Sequence, residues 1–166
     1  MTIDQLAKFE NELYLNVIEI YNKEQTRELN EELKTIFANY KQVHKNYVEL
    51  SNNDDEALKR GLFLQWYAWI EPSYLTGIGE IDQEAEKNII DYVEKRIQNN
   101  TLDVELKWML NYFATWDFVF DRFSTRKGLV ELIANKTDEF FPTKIDNDAM
   151  SKRGQMGKYW NSLIKV

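Results

Sequence analysis

Apolar residues recur every three or four positions along most of the chain, the spacing of helices that bury one face. Over 4–22 the stripe is Leu6, Phe9, Leu13, Val17 and Ile20, and Thr2 with Gln5 forms a candidate capping box in front of it. Over 25–50 the stripe is Leu29, Leu33, Ile36, Phe37, Tyr40, Val43, Tyr47 and Leu50. Glu28, Glu31, Glu32, Lys34, Lys41 and Lys45 occupy the opposite face. These two helices are amphipathic and are expected in an outer layer.

A third helix is predicted from the cap-rich run 51–54 to Pro72, and a fourth over 82–99 with Ile81, Ala85, Ile89, Val93 and Ile97 on its buried side. A fifth should span 102–123, a short sixth 125–134, and a last helix 148–165 after a loop through Phe140, Phe141 and Pro142. The third and fifth have no continuous polar face, and 13 of the 23 aromatic residues fall within 61–123. A helix apolar all round has to be covered on several sides, so these two are placed at the centre. The expected fold is all-α: six to seven helices in a compact array of antiparallel hairpins around two aromatic-rich central helices. LKRGL at 58–62 and LKWML at 106–110 each follow an Asn-Asn pair and open an aromatic helix, a faint echo of a two-helix repeat.

Composition fits this picture. The 166 residues suit one domain, 1–166, with a core drawn from 43% apolar residues. Two prolines and six glycines are sparse punctuation, which favours long helices over many short strands. Zero cysteines remove disulfides, thiolate zinc sites, iron–sulfur clusters and cysteine nucleophiles. The start of the chain lacks the basic and apolar segments of a signal peptide, and the longest apolar run is far short of a membrane span of ~20 residues. A cytoplasmic protein without membrane attachment is expected.

Charge narrows the class of partner. The net charge of −7 argues against nucleic acid, which usually meets a basic face. It is also uneven: 126–166 carry eight Lys and Arg against five Asp and Glu, and 1–125 carry 13 against 23. A basic tail on an acidic body is expected to dock on that body through Tyr159, Trp160, Leu163 and Ile164.

Candidate chemistry is thin. His44 is the one histidine, expected at the edge of the second helix, so histidine metal sites and triads have no material. No phosphate-binding glycine loop occurs, and no cofactor or metal is expected. Arg153-Gly154-Gln155-Met156-Gly157 offers either an anion site or glycines that admit a neighbouring helix. Asp117 and Asp121, four apart on a predicted helix, need a cation nearby, with Arg60, Arg122, Arg126 and Arg153 as candidates. They belong either to a structural ion-pair network or to a cavity with a carboxyl of raised pKa.

The stretch 61–81, GLFLQWYAWIEPSYLTGIGEI, has the same double character. Pro72 pushes Glu71 out of helical geometry. Glu71, Ser73, Tyr74, Thr76 and Gly77 then form either a plain loop or a rim over an aromatic wall of Trp66 and Trp69. The candidate ligand-binding set is Trp66, Trp69, Glu71, Tyr74, Thr76, Asp117, Asp121 and Arg153. No recognisable nucleophile, base or metal set accompanies it. The first expectation is therefore a non-catalytic binding module whose partner is another protein. The alternative is a small-molecule pocket or enzyme site between 61–70, 102–123 and the 71–81 loop.

Overall fold

Every regular element in the described residues, 1–137 and 145–163 of a computed structural model, is a helix. In chain order they are α1 (Ile3–Tyr21), α2 (Arg27–Ser51), α3 (Asp55–Ile70), α4 (Ser73–Thr76), α5 (Gln83–Gln98), α6 (Val104–Phe113), a 3-10 turn (Asp121–Phe123), α7 (Lys127–Ala134), α8 (Asn147–Ser151) and α9 (Gly154–Leu163). The helices start where short polar side chains cap them. Thr2 and Gln5 close a capping box on α1, at 3.2 and 2.8 Å. Thr26, Asp54, Asp82 and Asp103 each accept N–H bonds from the first turn of α2, α3, α5 and α6. Such caps contribute about 1 kcal/mol each.

The centre is α3. All ten residues from Ala57 to Trp66 are buried, and α2, α4, α5 and α9 pack around the helix. Gly61 sets the spacing: a Cβ there would stand 2.8 Å from Ile89 Cδ1 on α5 and 3.4 Å from Tyr47 Cβ on α2. Beyond Gly61 the core is aromatic. Trp66 stacks on Phe113 of α6 with ring centroids 4.3 Å apart. Trp116 and Tyr159 meet it edge-on, both at 5.3 Å.

Three expectations are corrected. The helix count rises to nine α-helices among the described residues, because Ser73–Thr76 forms an extra turn and the tail breaks in two. That break falls at Gly154, which adopts φ +63° and restarts the helix. The fifth helix ends at Phe113 rather than 123. From there the N–H groups of Thr115, Trp116, Val119 and Phe123 bond three residues back, the tighter 3-10 pattern. Thr115 adds a side-chain bond to the Tyr112 carbonyl at 2.7 Å, competing with the helical ladder. In this tighter winding Val119, Phe120 and Phe123 are all buried.

His44 is not at an edge. It is 1% exposed and bonds Gln65 of α3 at 3.2 Å, because α2 is covered by α3 as well as by α1 and α5. The repeat echo does not place its lysines alike, for Lys59 is buried and Lys107 exposed. The basic tail does pack on the body: α9 lies against α1 and α3, Trp160 is fully buried, Tyr159 half-buried and Leu163 43% exposed. Ile164 and the predicted Phe140–Pro142 loop lie outside the described residues.

Trp160→Ala should lower unfolding free energy by about 3–5 kcal/mol, the scale of a large core truncation. Urea titration would measure it. A loss under ~1 kcal/mol would mean that α9 contributes little to the core.

Candidate functional site

The eight residues singled out in the sequence do not form one site. Trp66 lies in the filled core. Trp69, one turn on, donates its Nε1 proton to Glu86 Oε1 at 2.8 Å, and the Arg122 guanidinium sits 4.6 Å above its ring. Arg122 also donates to both Glu86 oxygens, at 3.0 and 3.3 Å, so α3 and α5 are clamped to the 3-10 turn. Glu71 caps α3 in extended geometry (φ −124°), as its place before Pro72 predicts. Tyr67 is pushed up to about 12 by burial, with Tyr14 and the charge of Glu71 adding to the shift. Tyr74 is exposed and edge-on to Tyr21.

Thr76 is buried and belongs to a polar network that periodicity did not announce. At its centre is Glu10, 1% exposed. The Glu10 carboxylate accepts the Gln155 N–H at 2.5 Å and the Tyr47 hydroxyl at 3.0 Å, and its backbone carbonyl accepts the Tyr40 hydroxyl at 3.1 Å. The Gln155 amide in turn donates to the Thr76 carbonyl at 2.6 Å and to Tyr40 Oη. Gly154 leaves room for the carboxylate, since a Cβ there would lie 2.7 Å from both Glu10 oxygens. A signal existed in the sequence: Glu10 occupies the apolar register between Leu6 and Leu13.

Arg153 is neither an open anion site nor a partner for the helix-5 acids. It donates to Glu56 at 2.5 and 2.6 Å and to Glu105 at 2.5 and 3.1 Å. Lys59 closes the cluster on Asp103 at 2.5 Å and on Glu105 at 2.7 Å. This ion cluster joins α3 and the start of α6 to the link between α8 and α9. The two glycines beside Arg153 serve packing instead: Gly154 meets Glu10, and Gly157 meets the end of α8.

Asp117 and Asp121 stand apart from all of this. With α6 ended, they no longer share a helix face. Both are exposed, and among the described residues neither carboxylate has a hydrogen-bond or ion-pair partner. The four arginines proposed for them are engaged elsewhere: Arg60 and Arg153 with Glu56, Arg122 with Glu86, and Arg126 with Asp91 at 2.7 Å. The two acids instead rim a groove of about 280 Å³ walled by Trp116, Phe120, Val130 and Ile133. Glu94 of α5 positions the far wall by accepting the N–H groups of Gly128 and Leu129 at 2.9 and 2.8 Å, which caps α7 from outside. Phe118, at the open side of this segment, is 55% exposed.

Among the described residues no group of three or more His, Asp or Glu could hold a metal ion, and no helix is long and apolar enough to cross a membrane. No family model, curated protein or solved structure matches the chain.

Two buried groups couple stability to pH in opposite senses. Burial pushes the Glu10 carboxyl up from 4.5 to about 7, against the pull of Gln155, Tyr47, Arg60 and Lys158. Burial pushes the His44 imidazole down from 6.5 to about 4. The Glu10 contribution is therefore full below pH 4.5 and lost as pH rises through about 7. That of His44 is present above pH 6.5 and lost as pH falls through about 4. Each is worth about 3 kcal/mol, so over the shared range they oppose one another. Glu10→Gln removes one side. Its stability relative to the parent chain should improve by about 3 kcal/mol between pH ~4.5 and ~8, read from urea unfolding at both pH values. A difference that does not change with pH would contradict this assignment.

Proposed function

We propose that the chain is a non-catalytic module that binds another protein, and that its docking surface is the groove between residues 114–124 and α7. The observation that supports this is the contrast in how polar groups are used. The buried Glu10, Lys59 and Glu86 and the half-buried Arg153 are all held in internal networks. Asp117 and Asp121, by contrast, have no partner among the described residues and rim a concave surface beside exposed apolar side chains. Concave apolar surface flanked by a few polar groups is the common form of a recognition site. The acidic charge of the chain suits a protein partner better than nucleic acid. A cytoplasmic setting fits a chain whose zero cysteines lose nothing under reducing conditions.

The alternative, a small-molecule or enzymatic pocket between 61–70, 102–123 and the 71–81 loop, finds less support. The space beside Trp66 is occupied by Phe113, Trp116, Tyr159 and Trp160.

A photo-crosslinking residue at Phe118 should capture one discrete protein in cells of the native source, and the same residue at exposed Leu15 should not. The captured protein, once purified, should bind the chain in a fixed ratio and lose about tenfold or more in affinity, ~1.4 kcal/mol, against Val130→Asn. Val130 is 45% exposed, so this change leaves the core intact. Identical adducts from both positions, or unchanged affinity of V130N, would sink the proposal.

A further inference from the structure

Building on the docking reading, we infer that the groove is fitted to an amphipathic segment that brings bulky apolar side chains together with Lys or Arg. The argument rests on where the neighbouring cations go. Arg122 bonds Glu86 and covers Trp69, Arg126 pairs with Asp91, and the Lys136 ammonium donates to the Ala114 carbonyl at 2.7 Å. The residues that line the groove include the two carboxylates and no Lys or Arg.

Those carboxylates flank Trp116, Phe120, Val130 and Ile133. Any partner that covers this apolar surface must also strip water from the rim. A purely apolar partner would leave two carboxylates facing a dry contact, and an acidic one would add repulsion. A segment with cations beside its apolar anchors neutralises the rim as it fills the groove. The volume of about 280 Å³ suits one or two anchor side chains of a single segment. The anchor-plus-charge pattern is that of a helix laid in a groove. Charge at the rim then selects the partner, while apolar contact holds it.

The test uses two fluorescein-labelled helical peptides of about four turns. Their leucine spacing is identical, and the polar positions are lysine in one and glutamate in the other. Fluorescence anisotropy with the full chain should show the lysine peptide binding at least tenfold more tightly. Asp117→Asn with Asp121→Asn should weaken it about tenfold, and so should Val130→Asn. Glu24→Gln with Glu28→Gln, an equal charge change at exposed positions near the start of α2, should leave it within about twofold. If that control pair weakens binding as much as the groove pair, overall charge is responsible and the inference is wrong. If both peptides bind equally and both are lost in V130N, the groove docks a segment but the charge rule is overturned. If neither peptide binds, or V130N has no effect on either, the docking reading itself fails.

Discussion

Helix α3 has no face that can be left in water. From Ala57 to Trp66 each side chain is buried, Lys59, Arg60 and Gln65 among them, and a helix in that position has to be enclosed. The other elements are arranged around this need. α2 and α5 close two sides, brought near by Gly61, and α9 closes a third with Trp160. Placing two cations on such a helix requires carboxylates to follow them inward. Half-buried Glu56 and Glu105 do so, Asp103 reaches Lys59 from the exposed side, and Arg153 joins them from the tail. The ion cluster is thus a consequence of burying α3. Partly buried pairs of this kind fix how elements meet more than they add stability.

A second tie links the two ends of the chain. Glu10 on α1 holds the first turn of α9 through the Gln155 N–H, and Gly154 is the residue that lets the carboxylate come so near. The arrangement keeps a carboxyl away from water at the cost of a raised proton affinity. His44 is the converse case, an imidazole kept neutral by burial against α3. Both groups sit in the core for packing reasons, and their titration follows from that.

The groove arises by the opposite route. The segment 114–123 winds in 3-10 turns that bury Val119, Phe120 and Phe123 and leave Asp117, Phe118 and Asp121 exposed. Rigid neighbours fix both walls. Lys136 pins α7 to Ala114, and Glu94 caps its start. A concave surface with ordered walls and unpaired charge is left on the outside of a fold whose interior is fully used.

Much of the fold was legible along the chain. The stripes of α1, α2 and α5, their capping residues, the central α3 and the docked tail all follow from periodicity and cap chemistry, which are local. Glu71 leaving the helix before Pro72 is equally local. What periodicity could not supply was the choice between two states of similar local preference. The run from Ala114 to Phe123 carries enough apolar residues to look helical, and its 3-10 winding is decided by which side chains the finished core can accept. The pairing of Arg122, Arg126 and Arg153 with Glu86, Asp91 and Glu105 depends on which elements meet, dozens of residues apart. Burial of Glu10 and His44 likewise depends on a second and third helix covering the first. By itself the sequence determined an all-helical chain with an aromatic centre, because hydrophobic spacing acts within a few residues. Only the tertiary structure decided that, among the described residues, Asp117 and Asp121 would have no partner at a groove, because counting charges does not say which of them will touch.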